Sequence, residues 1–297
     1  MTLDQKILGT TTMVESVVKT YGGICSKGTG FFYEEISKEA EGPVSKDGLG
    51  WHRIESVWLI TNRHVAFPRI NNKENGSYDE LIPDKFSFNL REVKDGRIEW
   101  IPIELSREEF LKRVKLHPIP IVDVVAIKMD DLQINLLQKN QNRKLIFSGQ
   151  LSNNNLPTES PVKIECTSDI IVCSYPYDFY DRENKFPIIK SGIVASTWGG
   201  NFEGRPTFLI DAHLFPGSSG GLVLSKPIDI AMINGKMMTS KEKQYVFLGI
   251  YSGQYSHTTI DSEGKKSKES FGLGIVWYSY LIPQIIEKGI ACEINKI

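Results

Sequence analysis

PTFLIDAHLFPGSSGGLVLS, residues 206–225, sets one apolar run directly before a glycine- and serine-rich turn and another directly after it. A flexible Ser/Gly connector is normally flanked by polar residues. Here the flanks are strand-like, which predicts a tight structural turn. Glycines at 217, 220 and 221 allow backbone conformations that a side chain would forbid. Successive N–H groups in such a turn can converge on one anion. The turn would present a single hydroxyl, and a hydroxyl attacks only when a base stands near it.

Working outward, two further stretches could supply the base and a group to orient it. In VWLITNRHVAFP an apolar strand ends and His64 follows almost at once. That position can hold a side chain firmly and still face a cleft, although a histidine at a strand end also serves purely structural roles. In IPIVDVVAIKM a carboxylate, Asp123, interrupts an apolar run. Burying an unpaired charge is costly, so Asp123 needs a partner, and a histidine N–H is a good one. The plain alternative is an aspartate at an exposed strand edge.

The remaining chain reads mainly as short strands. MVESVVKTY, GTGFFY, SVWLIT, KFSFNL, RIEWIPIEL and VDVVAIKM form a first series. VKIECTSDIIVCSY, FPIIKSGIVAST, PTFLIDA, GLVLS, YVFLGIYS and FGLGIVWY form a second. All are rich in β-branched and aromatic residues and are separated by turn formers. The polar stretch SGQLSNNNLPTESP between the series suits a crossover linker. Two helices are predicted. SREEFLKRV has a capping box of Ser106 and Glu109. IPQIIEKG has Pro283 at its start and Gly289 at its stop. Many strands and few helices predict two packed all-β units.

The three quoted stretches together resemble the chymotrypsin-like (trypsin-fold) serine peptidases, and more closely the bacterial trypsin-like peptidases related to the HtrA proteases. LITNRHV is similar to the family's LTNxHV. DVVAIK is similar to its D-x-A strand, with one extra residue before the alanine. DAHLFPGSSGG is similar to DA…PG followed by G-x-S-G-G. GTGFFY, YVFLGIYSG and FGLGIVWYSYLIPQII resemble the strand before the histidine, the strand lining the substrate cleft, and the last strand with its helix. The likeness covers about residues 13 to 288.

The resemblance implies an all-β fold of two antiparallel six-stranded β-barrels with a C-terminal helix. It implies one peptidase domain over 1–297, with barrels at 1–150 and 160–278 and the helix and tail at 279–297. It makes Ser219 the nucleophile, His64 the general base and Asp123 its orienting group, with Gly217 and Ser219 N–H as the oxyanion hole. Ser218 is then only the variable residue of the motif. His213, six residues before Ser219, falls at the floor of the primary specificity pocket, and Ser252 and Gly253 fall on the strand that pairs with substrate. Trypsins carry aspartate at that floor, so a preference for Lys or Arg is not expected here. Packing of His213 against a neighbouring loop is the alternative. No IVGG-like start is present and Ser218 replaces an aspartate, so activation by N-terminal trimming is not expected. With no PDZ-like stretch in the sequence, the HtrA mode of peptide sensing is not expected.

The implied function is serine endopeptidase, acting on a protein or peptide substrate. The resemblance leaves room for an activating protein partner. The alternative from another class is a catalytically silent peptide-binding or scaffold member of the same fold.

Composition narrows the surroundings. Net charge is −1, which gives no reason to expect a nucleic-acid or membrane partner. The basic stretch EGKKSKES is mixed with acids and reads as a solvated loop. The segment from about Glu34 to Ser56 reads as a polar insertion. The N-terminus has no basic region followed by an apolar core, so a signal peptide is not expected. Four cysteines, Cys25, Cys166, Cys173 and Cys292, form no CxxC pair. Cys166 and Cys173 lie in β-like runs, where buried free thiols are expected. A reducing, cytoplasmic setting follows, and neither a metal nor a cofactor is expected.

Overall fold

The computed structural model describes the chain except residues 1–6, 21–22, 43–50, 73–77, 131–143, 146–150, 261–265 and 293–297. The first series of strands builds one antiparallel sheet. It contains β1 (Thr11–Val18), β2 (Ile24–Ile36), β3 (Ile54–Thr61), β6 (Lys85–Lys94), β7 (Arg97–Ser106), β8 (Val114–Leu116), β9 (Val125–Lys128), β10 (Lys144–Leu145) and the C-terminal β19 (Ile290–Ala291). Their order is β10-β6-β1-β2-β3-β9-β8-β19, with β7 on β6. Two short strands, β4 (Arg69–Asn71) and β5 (Tyr78–Glu80), pair with each other outside it.

The second series closes into a barrel. β11 (Asp169–Ser174), β12 (Ile188–Val194), β13 (Thr207–Asp211), β18 (Lys266–Tyr278), β17 (Phe247–Ile260) and β14 (Leu222–Ser225) follow one another around it. β15 (Ile228–Ile233) and β16 (Lys236–Gln244) form a separate hairpin. The expected all-β class, the six-stranded second barrel and the C-terminal helix are all present. The first unit has nine strands because the short strands β8, β10 and β19 extend its sheet.

Strand alternation explains the packing. In β3, Val57 and Leu59 face a core shared with Val14, Phe86, Leu105 and Ile127. That shared core spans β1, β3, β6, β7 and β9, so the first sheet curls around it. Trp58 and Ile60, on the other face of β3, join a second core with Phe31, Leu222, Phe247 and Trp277. That core lies between the two units. Because β3 and β9 are buried on both faces, they read as continuous apolar runs rather than alternating ones. The barrel has its own core around Val172, Phe208, Leu248 and Val276.

Both predicted helices form. Ser106 caps Arg107–Arg113 with the full reciprocal box to Glu109. Leu281–Lys288 ends at Gly289, and its Leu281, Ile282, Ile285 and Ile286 seal the core between the units. The described part of the linker is anchored on β2, where Glu34 N–H donates to Leu151 O (2.9 Å) and Ile36 N–H to Asn153 Oδ1 (3.0 Å).

Three local expectations are corrected. EGKKSKES is not all loop, since Lys266–Ser270 belong to β18 and pair with β17. Cys173 is buried as expected, and burial pushes its thiol up to about 12. Cys166 instead lies exposed in the turn before β11. The insertion is shorter than read, because β2 continues to Ile36 and β3 begins at Ile54.

Candidate active site

β3 delivers His64. The strand ends at Thr61, Asn62 follows, and the chain turns into the short helix Arg63–Ala66. Asp123 arrives on the segment leading into β9. The two loops are tied at the main chain, where the Asn62 side-chain amide and Arg63 N–H both donate to Asp123 O (2.8 and 3.2 Å).

The Asp123 carboxylate then engages His64 twice. Oδ1 accepts the His64 backbone N–H at 2.9 Å, and Oδ2 lies 2.6 Å from His64 Nδ1. Oδ2 also accepts the Ser252 hydroxyl at 2.8 Å. Arg69 Nη2 stands 3.5 Å from Oδ1. Burial alone would raise this carboxyl, but His64, Arg69 and the Ser252 hydroxyl outweigh it and hold it below its ordinary range. An ionised carboxylate only accepts hydrogen bonds. Nδ1 therefore donates to Oδ2, and Nε2 is not used by this contact. The exposed-edge alternative for Asp123 does not describe this residue, whose side chain is 13% exposed.

Ser219 comes from the barrel side, on the turn between β13 and β14. The turn's main chain is held at several points. Thr29 N–H donates to Ser219 O (2.8 Å), Gly220 N–H to Tyr251 O (2.8 Å), and Gly221 N–H to Ser218 O (2.8 Å). Gly217 has φ +89°, and a Cβ there would meet Tyr175 O at 2.6 Å. Gly220 has φ +82°, and a Cβ there would collide with Thr29 O. Both positions therefore require glycine. Neither Gly217 N–H nor Ser219 N–H has a hydrogen-bond acceptor among the described residues. Ser218 is fully buried, and its hydroxyl accepts from Ser174 Oγ at 3.1 Å.

The Ser219 hydroxyl donates to Ser252 O at 2.9 Å. Among the described residues no hydrogen bond joins it to His64 Nε2. Ser252 thus touches both halves, with its carbonyl on Ser219 and its hydroxyl on Asp123. Gly253 follows it on β17 and pairs with Ile275. His213 lies elsewhere on the turn, exposed, with its ring edge-on to Phe215 at 4.6 Å. It makes no hydrogen bond or ring contact with His64, Asp123 or Ser219 among the described residues.

Sequence reasoning missed a charged chain behind Asp123. Arg69 Nη2 reaches Glu80 Oε1 at 2.8 Å, and Arg63 Nε reaches Glu80 Oε2 at 2.7 Å. Arg69 and Glu80 are register partners in β4 and β5. Nothing in the spacing of these residues signals that pairing.

No protein-family model matches the chain, and no curated protein does. Among solved structures it is similar to the Rv3671c protease of M. tuberculosis in its active form. That likeness has a TM-score of 0.42 and 15% identity over 96% of this chain and 83% of the other. It is also similar to the MamO protease domain of Magnetospirillum magneticum in its apo form. There the TM-score is 0.37 and the identity 11%, over 94% of this chain and 96% of the other. These scores are low, and the fold rests on the strand pairing itself. No helix among the described residues is long and apolar enough to cross a membrane.

Proposed function

We propose that the chain is a serine endopeptidase that cuts peptide bonds through an acyl-enzyme. Ser219 is the nucleophile, His64 the general base and then acid, and Asp123 the orienting carboxylate. One observation carries this reading: Asp123 grips both the ring and the backbone of His64 and leaves Nε2 free to take a proton.

In the first step Ser219 Oγ bonds to the scissile carbonyl carbon while its proton passes to His64 Nε2. The oxyanion that forms meets the free N–H groups of Gly217 and Ser219. His64 then gives the proton to the leaving amine, and the C–N bond breaks. Water repeats the sequence on the ester and restores Ser219. Asp123 stabilises the imidazolium throughout and keeps its own charge. His213, six residues before Ser219, belongs to the substrate side of this reading. It offers no carboxylate to a Lys or Arg side chain.

A second observation favours a latent resting form. The Ser219 hydroxyl is bonded to Ser252 O rather than to His64. Substrate, or an activating protein partner, would have to draw it across. The silent peptide-binding alternative predicts that no partner or peptide produces turnover.

Proteome-wide cleavage profiling of the unaltered chain against Ser219→Ala tests the proposal. New peptide termini should appear only with the unaltered chain. Identical termini in both samples would contradict it.

A further inference from the structure

A cavity of about 560 Å³ borders the candidate site on the side of Asp123 and Ser252. Resting on the peptidase reading, we propose that this cavity receives an acidic side chain of the substrate flanking the scissile bond, with Arg205 as its charge partner.

Two β-bulges shape the cavity. The pairing of β17 with β18 shifts register between Tyr251 and Gly253 and again between Gln254 and Ser256. Ser252 is the extra residue at the first shift, whereas at the second Tyr255 stands opposite three residues of β18, Phe271 to Leu273; Ser252 and Tyr255 both line the cavity. A bulge re-aims the side chain it carries. Ser252 is also the residue whose carbonyl holds the Ser219 hydroxyl, so a chain laid across Ser219 has one flank at this cavity.

The charges lining the cavity are unequal in what they leave free. Asp123 is engaged by His64 and Ser252. Arg69 is engaged by Glu80. Glu203 accepts the Tyr255 hydroxyl at 2.7 Å. Arg205 has its backbone fixed by bonds to Phe202 O and from Thr207 N–H, but its guanidinium has no partner among the described residues. His257 adds a ring stacked with Phe271. Trp277 also lines the cavity, and its buried indole N–H has no acceptor among the described residues. The unmet groups that a substrate can reach, those of the Arg205 guanidinium, are therefore donors, since the Trp277 N–H is buried. A carboxylate, which only accepts, complements them, whereas a lysine side chain adds donors and repels Arg205. Glu203 is the local opponent. It keeps its charge, because the Tyr255 hydroxyl that it accepts is neutral, and Arg205 is the lining cation with no carboxylate partner among the described residues.

Arg205 is exposed, so solvent screens the pair and the preference is modest, about threefold to tenfold at low salt. Fluorogenic peptides identical except for Glu, Gln or Lys, scanned along each flanking position, test it in two ways. Binding is read by fluorescence anisotropy on Ser219→Ala, and cleavage is read on the unaltered chain. At one flanking position Glu should bind and be cut about threefold to tenfold better than Gln. In Arg205→Gln that ratio should fall to about one, and in Arg205→Glu the order should invert toward Lys.

Equal binding of Glu and Gln, or a Glu preference that survives in Arg205→Glu, overturns the proposal. Cleavage with no charge preference overturns it and leaves the peptidase reading standing. An Arg205-dependent Glu preference in binding, with no cleavage by the unaltered chain, upholds the acidic site and removes the peptidase reading. Absence of both binding and cleavage overturns both.

Discussion

His64 and Asp123 are locked as side chains, whereas Ser219 is locked only as main chain. On the first side, one carboxylate holds the ring and the backbone of His64, and a neighbouring hydroxyl completes its shell. On the barrel side, Thr29, Tyr251 and Ser218 fix the turn's backbone, but the Ser219 hydroxyl donates to Ser252 O. On the proposed reading the base is held in advance, and the hydroxyl of the nucleophile rests on Ser252 O. Latency, on this account, resides in the hydrogen bond that the Ser219 hydroxyl makes to Ser252 O.

The largest test of that contrast is the nucleophile itself. Ser219→Ala should lower kcat roughly 10⁴- to 10⁶-fold while the circular dichroism and Tm stay unchanged. Ser218→Ala should leave turnover within a few-fold. It removes one buried hydrogen bond to Ser174, which costs about 0.5–1.5 kcal/mol of stability. Equal losses of activity in the two variants would mean that the wrong serine has been chosen.

Next in size is the turn. Gly217→Ala places a methyl group against Tyr175 O and forbids the backbone its φ of +89°. One oxyanion donor should swing away, for a loss of about 10²- to 10³-fold in kcat with KM little changed. A loss confined to KM would contradict the donor role.

Ser252→Ala sharpens the comparison, because Ser252 touches both sides. Its carbonyl stays and its hydroxyl goes, so Ser219 keeps its resting acceptor and Asp123 loses one donor. Turnover should fall by about tenfold to 100-fold, the scale of one hydrogen bond to a charged group. A loss as large as that of Ser219→Ala would show that Ser252 does more than hold Asp123.

The smallest effect is on stability. The Asp123 carboxyl is held below its ordinary range in the folded chain, so its charged form stabilises the fold. That contribution is fully present above the unfolded-state value of about 3.9 and is lost as pH falls through the folded one. Thermal melts should therefore show the Tm difference between the unaltered chain and Asp123→Asn shrinking as pH drops below about 4. A difference independent of pH would contradict it.

Much of this was legible in the sequence, and for identifiable reasons. Strands buried on both faces leave long apolar runs, which is why Asp123 stood out within one and why β3 could be read straight into His64. The capping box at Ser106 formed as written because a helix start is decided by residues three apart. The hairpin of β15 and β16 was passed over although Asn234 and Gly235, with φ of +51° and +74°, form its turn. β15 is nearly all apolar and β16 mainly polar, so neither shows the alternation of a half-buried strand, and only the Asn-Gly pair marks the hairpin. The link from Arg63 and Arg69 through Glu80 to Asp123 had no local signal, because it exists only once β4 pairs with β5. The resting acceptor of Ser219 was equally hidden, since Ser252 reaches it through a bulge in β17.

Intact-mass spectrometry after exposure to a small fluorophosphonate, followed by peptide mapping, tests the central claim most directly. The account predicts a single covalent adduct on Ser219, absent from Ser219→Ala and strongly slowed in Asp123→Asn. An adduct on another residue, or no adduct while the fold is intact and a peptide substrate is being cut, would contradict it.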